Sequence, residues 1–285
     1  MRIAFTSDIH IDLNPPETLP ALAAHLTSLS ADVVVIAGDL ATGATTWLRT
    51  LLALRPTAPH LLVLAGNHDV WTTPEAQKKG YDAWTWLDKL LPALCAEAGV
   101  HYLDGGALTL GNVGFVGTLG WYDLSLREHL LDVPMEAYRT GEWGGMKWMD
   151  HVYARWPDAD GAPLPCEAIS ERLRARFTTQ LQGLTTRRVV AATHMLAFPD
   201  QIFSKQHPGW RFVNAFMGSR KLGDVIRADP RVVLAIAGHT HIPSDTRQGH
   251  VRAVVSPLGY RREWRASNVT DAITKAVTVV DLPGT

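Results

Sequence analysis

Residues 33–39 read VVVIAGD, a run of apolar residues that ends directly in glycine and aspartate. Residues 61–69, LLVLAGNHD, and residues 233–241, VLAIAGHTH, repeat the arrangement with other polar residues at the end. Short, near-continuous apolar runs of this kind predict β-strands that are covered on both faces. The glycine after each run predicts a sharp turn, because glycine has no Cβ that would clash there. Polar side chains that follow such strands are expected to gather at the sheet edge where α/β proteins bind ligands.

Eight runs rich in β-branched and aliphatic residues predict strands, and each stops at polar residues or glycine. The predicted strands are Arg2–Thr6, Asp32–Ala37, His60–Ala65, Val113–Gly117, Arg188–Ala192, Val232–Ala237, Val251–Val255 and Ala276–Val280. Apolar residues at helical spacing predict helices over Leu19–Leu29 and Thr45–Leu54, between the early strands. This alternation of strand and helix predicts a layered α/β fold.

The middle of the chain, from about Trp71 to Leu184, departs from the alternation. It is rich in tryptophan, and it contains one clear predicted strand, Val113–Gly117, and a predicted helix, Ile169–Leu181. No linker, internal repeat or low-complexity tract sets this region apart. We therefore predict a single domain over residues 1–285, with a tryptophan-rich insertion at about residues 71–184.

Charge and composition limit the classes of function that this sequence of 285 residues can have. Lys and Arg number 27 against 28 Asp and Glu, so a basic surface for a long nucleic acid is not expected. The longest apolar runs are far shorter than the ~20 residues of a membrane helix. Cys95 and Cys166 form no CxxC pattern and no disulfide framework, which indicates a reducing compartment. With no secretory signal ahead of the first motif, we expect a cytoplasmic protein without a membrane partner.

Five polar clusters follow five of the predicted strands, and each contains residue types that bind metal ions. Oxygen and imidazole ligands without thiolate favour Mn, Fe or Zn. Alternate residues of an extended chain share a face, so the D-x-H and H-x-H clusters should each present two side chains together. The clusters are Asp8-Ile9-His10, Gly38-Asp39, Gly66-Asn67-His68-Asp69, His194 and Gly238-His239-Thr240-His241.

Each cluster also has a purely structural interpretation. An isolated D-x-H or H-x-H is more often a cap or surface feature than a metal site, and Gly-Asp is common in turns. Asn and Asp serve as helix caps and turn residues as well. The order of the five clusters, each directly after an apolar strand, is what favours a metal site. Trp121-Tyr122-Asp123 follows another predicted strand, and we expect an aromatic side chain there to form a wall of the substrate pocket.

In this order the clusters resemble the pattern of the calcineurin-like metallophosphoesterase superfamily: D-x-H, GD, GNH[DE], H and GHxH. The resemblance spans Asp8 to His241 and implies two mixed β-sheets, packed as a sandwich and flanked by helices. It also implies two divalent metal ions, for which Mn is favoured and Fe or Zn are alternatives. The implied ligands are Asp8, His10, Asp39 and His241 for one metal, and Asp39, Asn67, His194 and His239 for the other.

The same resemblance implies an enzyme that hydrolyses phosphoesters. A metal-bound hydroxide would attack phosphorus in line, with Asp39 bridging the two metals. His68 would protonate the leaving-group oxygen or stabilise the phosphoryl charge, and Asn67 would help to stabilise the equatorial oxygens. The group that orients His68 stays open, because Asp69 is adjacent in sequence but neighbours on a turn need not touch.

Departures from known subfamilies narrow the substrate. Purple acid phosphatases have glycine where His10 stands and a tyrosine ligand after GD, and this chain has neither. Protein serine/threonine phosphatases continue as GDxxDRG, whereas residues 38–43 read GDLATG and lack the arginine that grips phosphate. We expect a small phosphodiester substrate, with a small-molecule monoester as the alternative if Arg261 and Arg262 replace the missing cation. Residues 256–260, SPLGY, resemble an N-P-x-G-Y stretch of many bacterial members.

The sequence disfavours two other functions. A nuclease is disfavoured by the near-neutral charge. A non-catalytic binding scaffold is disfavoured because all seven ligand positions and His68 are present in the sequence.

Overall fold

The strands form where apolar residues run without interruption, because both faces of each main sheet are covered. In β2 (Val33–Ala37), Val33, Val35 and Ala37 lie in the core between the sheets, while Val34 and Ile36 lie under the helices. Successive side chains of a strand point to opposite faces, so this two-sided burial requires a continuous apolar run. The computed structural model describes residues 1–202 and 207–283.

Thirteen strands lie in the described residues. They are β1 (Arg2–Thr6), β2 (Val33–Ala37), β3 (His60–Leu64), β4 (His101–Tyr102), β5 (Leu108–Leu110), β6 (Val113–Thr118), β7 (Glu142–Trp143), β8 (Met146–Lys147), β9 (Arg188–Thr193), β10 (Val232–Ala237), β11 (Ser244–Gln248), β12 (Val251–Val255) and β13 (Thr278–Asp281). The first sheet has the order β13-β1-β2-β3-β4 and the second β11-β12-β10-β9-β6-β5. Both are mixed, with antiparallel strands at the edges β13, β11 and β5. Strands β7 and β8 pair separately.

The core between the sheets is made by the facing residues of both. Ile3 and Phe5 of the first sheet lie in one cluster with Phe115, Val190 and Ile236 of the second, and all are buried. Burial of such a side chain contributes about 1.5–3 kcal/mol. This burial holds the two sheets against each other, and the loops with the polar clusters follow the carboxyl ends of the parallel central strands.

Helices cover the outer faces of the two sheets. Helices over residues 18–28, 44–54, 91–98 and 269–276 bury side chains such as Leu22 and Trp47 on the first sheet, and helices over residues 166–183 and 220–228 bury Phe177 and Ile226 on the second. In chain order the helices are α1 (Thr18–Ser28), α2 (Ala44–Leu54), α3 (Pro74–Lys78), α4 (Ala83–Thr85), α5 (Leu91–Ala98), α6 (Met135–Thr140), α7 (Asp150–Tyr153), α8 (Cys166–Gly183), α9 (Pro208–Val213), α10 (Arg220–Ala228) and α11 (Val269–Ala276). Residues Trp86–Leu90 are π-helical, and short 3₁₀ turns cover Arg55–Thr57, His68–Val70, Pro199–Gln201, Asn214–Phe216 and Arg261–Glu263.

The predicted fold of two mixed sheets flanked by helices is confirmed. The last predicted strand, Ala276–Val280, begins too early, because Ala276 still closes α11 and the strand starts at Thr278. In the helices of the described ranges, no segment combines the length and the apolar character needed to cross a bilayer.

The tryptophan-rich insertion at about residues 71–184 contains more strands than the one predicted. Strand β4 joins the first sheet, while β5 and β6 join the second. Strands β4 and β5 span two and three residues, which is too short for an apolar pattern to be visible in the sequence. The insertion thus contributes to both sheets, and the single-domain organisation stays a prediction.

Candidate metal centre

The first group of predicted ligands converges at the carboxyl ends of β1, β2 and β10. Asp8, His10, Asp39 and His241 each offer a ligand atom, and these four atoms lie within 4.8 Å of one another. The Nε2 atom of His10 lies 3.0 Å from Nε2 of His241 and 3.5 Å from Oδ2 of Asp39. Nε2 of His241 lies 3.4 Å from Oδ1 of Asp8. The four side chains therefore form one compact set of oxygen and nitrogen donors, a candidate metal-binding site.

The second group lies next to the first and shares Asp39 with it. Oδ1 of Asn67 lies 2.9 Å from Nε2 of His194 and 3.0 Å from Nδ1 of His239. Nε2 of His194 lies 3.5 Å from Oδ1 of Asp39. The structure thus brings all seven predicted ligands together, in the two sets that the family resemblance implies.

The outer nitrogens of three of these histidines are held by acceptors, which leaves the inner nitrogens to the donor sets. The Nδ1 atom of His194 donates to the carbonyl oxygen of Ala37, at 2.9 Å. Nε2 of His239 lies 3.3 Å from the carbonyl oxygen of Phe216, and Nδ1 of His241 lies 2.7 Å from Glu263 Oε2. Metal-binding histidines typically donate their second N–H in this way, which fixes the ring orientation. These contacts fit a metal on the inner side.

Five of the seven ligands have a left-handed backbone conformation. The φ angles of Asp8, His10, Asp39, His239 and His241 lie between 39° and 73°, whereas only two other non-glycine residues of the described ranges have positive φ. Such conformations cost about 1–3 kcal/mol and concentrate at functional sites. The expectation that the D-x-H and H-x-H pairs share the face of an extended strand is wrong. These four residues follow their strands in left-handed backbone conformations instead.

The three glycines of the clusters have two different roles. Gly38 has a φ of +85°, and a Cβ there would lie 2.5 Å from Nδ1 of His194. Gly66 and Gly238 have no positive φ, but a Cβ would overlap Asp39 at the first and lie 2.7 Å from Oδ2 of Asp8 at the second. A sharp left-handed turn therefore explains Gly38 alone. At Gly66 and Gly238 the requirement is close approach of a carboxylate to the backbone.

Asp69 does not orient His68. Its buried carboxylate accepts hydrogen bonds from the backbone N–H groups of residues 39–41 and of Gly66, at 2.7–3.2 Å. Instead, the His68 ring stacks on Trp71, with centroids 3.7 Å apart and an interplanar angle of 24°. The Oη atom of Tyr260 lies 3.5 Å from Nε2 of His68. Trp71 and Tyr260 are therefore the neighbours that set the position of this ring.

The predicted aromatic wall lies in a different place. Trp121 and Tyr122 are each only 2% exposed, and they pack into the interior against Trp156 and Phe216. The expectation that they wall the substrate pocket is wrong, because large aromatic side chains are used here to fill the core.

The aromatic side chains that border the donors are three half-buried rings. Trp71 stacks on His68, and Trp148 meets the edge of His239 at 5.8 Å between centroids. The Tyr260 ring lies 4.6 Å from the rings of both His10 and His241. The resemblance of residues 256–260, SPLGY, to a stretch of bacterial family members draws attention to Tyr260. Nothing in the sequence distinguishes Trp71 and Trp148 from the other tryptophans.

The electrostatics of the site favour a bound cation. Burial lowers the pKa values of His10, His194 and His239, so these rings are neutral, as metal ligation requires. Burial, together with the charges of Asp69 and Asp8, raises the pKa of Asp39 well above its usual value. Carboxylates crowded in this way destabilise one another unless a positive charge lies between them. A divalent metal ion would supply that charge.

His241 is the exception among the histidines. Burial alone would lower its pKa, but the carboxylates of Asp8 and Glu263 outweigh that effect and raise the pKa of His241 to about 10. The pKa of Asp8 is held well below its usual value, because the hydrogen bond and charge of His241 outweigh its burial. Both shifts arise from the close contact between the His241 ring and the carboxylate of Asp8, at 3.4 Å.

Comparison with known proteins relates this geometry to a family and to solved structures. A family model described as calcineurin-like phosphoesterase matches residues 1–243, which include all five clusters. The fold is similar to that of a phosphopantetheinyl hydrolase (PptH) from Mycobacterium tuberculosis, with a TM-score of 0.78, 20% identity, and coverage of 99% of this chain and 98% of that chain. It is also similar to the protein TT1561 of Thermus thermophilus, with a TM-score of 0.55, 12% identity and 98% coverage of both chains. No curated protein matches the sequence. At these identities the two structures support the fold alone.

We predict that metal binding displaces a proton from His241. Because a metal ligand must be the neutral imidazole and the pKa of His241 is raised to about 10, Mn²⁺ affinity should rise as the pH is raised above neutrality. Glu263→Gln removes one of the charges that raise this pKa, so the rise in affinity should move to lower pH. Titration calorimetry in two buffers of different ionisation enthalpy measures both the affinity and the protons released.

The matched control is Glu97→Gln, which neutralises an exposed glutamate of α5. It should leave the pH profile of Mn²⁺ binding unchanged. If Glu263→Gln gives the same profile as the unaltered protein, Glu263 does not control the protonation of His241.

Proposed function

The chain belongs to the calcineurin-like phosphoesterase family, and we propose that it is a phosphoester hydrolase that binds two divalent metal ions. The observation that carries the proposal is the position of Asp39. Its Oδ2 lies 3.5 Å from His10 in one donor set, and its Oδ1 lies 3.5 Å from His194 in the other. Two-metal sites need a ligand that bridges ions ~3.5–4 Å apart, and a carboxylate between two donor sets suits that role.

The choice of metal rests on the donor atoms. Every candidate ligand is an oxygen or an imidazole nitrogen, which favours Mn²⁺, with Fe or Zn as alternatives. When bound, two such ions supply an activated water as nucleophile and neutralise charge on the phosphate. The amide of Asn67 carries two N–H groups, and one of them donates to Asp150. The other is the group proposed to stabilise an equatorial oxygen of the phosphate.

His68 is the group proposed to assist the leaving oxygen. It is half-buried at the rim, and burial with the charge of His241 lowers its pKa to about 3. A phosphate anion bound beside the ring would oppose this lowering of the pKa, because a nearby negative charge favours the protonated imidazole. The substrate thereby promotes the protonation state in which His68 can donate to a departing alkoxide.

A small phosphodiester is the substrate class that we propose. Trp71, Trp148 and Tyr260 offer an apolar border beside the donors, suited to the organic group of an ester. Such a border adds no positive charge, and a diester carries one negative charge fewer than a monoester. The side chain of Arg262 lies over the Tyr260 ring at 5.2 Å, and it is the cation that supports the alternative, a small-molecule monoester.

The phosphopantetheinyl hydrolase that shares the fold provides one diester for testing. A phosphopantetheinyl group joined to an alcohol through its phosphate is a phosphodiester, so it falls within the proposed class. A binding scaffold without activity is less favoured, because all seven ligands and His68 meet at the same strand ends. A cytoplasmic location and the lack of a long nucleic-acid partner stay predictions.

Removal of metal should abolish hydrolysis. After dialysis against a chelator, the protein should lose activity toward nitrophenyl phosphoesters, and Mn²⁺ should restore it best. Asp39→Ala should reduce activity and metal content more than His10→Ala, because Asp39 faces both donor sets. Metal analysis and steady-state rates test this directly, and full activity of the metal-free protein would refute the mechanism.

His68→Asn should lower turnover while leaving metal content nearly unchanged. General acid assistance is worth about 10²–10⁴-fold in rate, so turnover of an alkyl ester should fall by about that factor. The loss should shrink with a nitrophenyl ester, since nitrophenolate departs without a proton. His129→Asn, at an exposed position, is the matched control. Equal losses for both leaving groups would show that His68 is not the acid.

The substrate class is tested by comparing bis(nitrophenyl) phosphate with nitrophenyl phosphate at the same metal concentration and pH. We expect the larger kcat/KM for the diester, with little change in Arg262→Ala. Arg261→Ala is the matched control, because the Arg261 side chain lies over Trp264 instead, at 5.1 Å. A monoester preference that disappears in Arg262→Ala alone would establish the monoesterase alternative.

A further inference from the structure

The insertion places one buried carboxylate beside the metal centre. Asp150 is 1% exposed, begins α7, and belongs to none of the five clusters. Its Oδ1 accepts hydrogen bonds from Nδ2 of Asn67 at 2.8 Å and Nε1 of Trp71 at 2.7 Å. Its Oδ2 accepts one from Nε1 of Trp148 at 2.9 Å. Three side chains that border or form the donor sets are therefore tied to a single carboxylate.

We propose that Asp150 is a positioning residue that fixes both the amide of Asn67 and, through Trp71, the ring of His68. The proposal rests on the proposed function, because it assigns Asp150 to the support of a metal ligand and of the acid. Asp150 belongs to neither donor set, so it acts through its partners.

The first step concerns the orientation of the Asn67 amide. An amide side chain has an acceptor oxygen and a donor NH₂ that exchange places when the group flips. Because the carboxylate of Asp150 only accepts when ionised, it selects the orientation in which the NH₂ points toward it. That orientation directs Oδ1 of Asn67 toward His194 and His239, at 2.9 and 3.0 Å. The flipped amide would present NH₂ to the metal and could not ligate it.

The second step concerns His68. The indole N–H of Trp71 is anchored on Asp150, and the same indole stacks on the His68 ring at 3.7 Å between centroids. An indole that is held at its N–H cannot turn freely about its side-chain bonds. The bond to Asp150 thus fixes the plane against which His68 rests.

The third step concerns Trp148, which bonds the other oxygen. Its ring stacks on Phe216 at 5.3 Å between centroids and meets the edge of His239 at 5.8 Å. Hydrogen bonds to an ionised acceptor are roughly twice as strong as neutral ones. One carboxylate therefore holds a ligand, the neighbour of the acid and the neighbour of a second ligand in fixed relation.

The test uses the chemistry of the two oxygens. Asp150→Asn keeps an acceptor for Asn67 and Trp71 but turns an NH₂ toward the N–H of Trp148, so two donors face each other. Trp148→Phe removes that indole N–H while keeping an aromatic ring. The double variant Asp150→Asn/Trp148→Phe should therefore recover function that Asp150→Asn loses. Asp150→Ala removes both acceptors, and Asp132→Asn, at an exposed site in the same insertion, is the matched control.

Three measurements are made on each full-length variant. Titration calorimetry with Mn²⁺ should show that Asp150→Ala weakens one of two binding events by about 10–100-fold, as loss of an outer partner of a ligand does. Rates with nitrophenyl and alkyl esters should show a larger loss for the alkyl ester, because His68 is displaced as well. A melting temperature for each variant separates these effects from general unfolding.

The inference is overturned if Asp150→Ala binds two Mn²⁺ with unchanged affinity and loses equal activity toward both esters. It is also overturned if the double variant is no better than Asp150→Asn, an outcome that remains measurable even where Asp150→Ala fails to fold. If the unaltered protein itself binds only one metal or hydrolyses no phosphoester, the proposed function fails and this inference fails with it. Two metals and hydrolysis in the unaltered protein, with silent Asp150 variants, refute the positioning role alone.

Discussion

The candidate metal centre depends on the buried carboxylate of Asp69, which binds the backbone of the loops that carry the candidate ligands. This carboxylate accepts hydrogen bonds from the backbone N–H groups of residues 39–41, after β2, and of Gly66, after β3. These bonds hold the two loops together. In the loop after β2, the carbonyl oxygen of Asp39 accepts a hydrogen bond from the backbone N–H of His10, at 3.0 Å. A buried N–H left without its acceptor costs about 1–3 kcal/mol. The ligand geometry therefore rests on this bonding before any metal is present.

The same loops hold backbone conformations that would be unfavourable elsewhere. Left-handed φ angles at Asp8, Asp39 and His239 cost about 1–3 kcal/mol each. They persist because each follows a central strand that is paired on both sides and buried, so the strand end cannot relax. The backbone N–H of His239 also donates to Oδ1 of Asp8, at 2.9 Å, which ties the first sheet to the second. The paired strands therefore keep these residues in their left-handed conformations, and the ligand atoms stay in fixed positions.

Properties that depend on local pattern could be predicted from the sequence. The β1 and β2 strands agree with their apolar runs to within one residue, because burial on both faces requires such runs. The left-handed turns at the ligands could not be predicted, since Asp and His adopt positive φ more often than most residues but still in only a minority of cases. Asp150 was equally hidden, because its partners Asn67 and Trp71 lie 83 and 79 positions away in the chain. Composition likewise could not separate a core residue such as Trp121 from a rim residue such as Trp71.

The insertion connects the apolar border to the candidate metal ligands through one carboxylate. The five clusters alone would place the donors, but Trp71 and Trp148, which border them, share the carboxylate of Asp150 with Asn67. Residues that share one hydrogen-bonded network respond to substitution as a unit and not independently. A change in the insertion that reshapes the apolar border for another organic group therefore also alters the support of a metal ligand. Arg262 is exposed and lies over the Tyr260 ring, outside the hydrogen bonds of Asp150, so the charge near the substrate can change there without altering the support of Asn67.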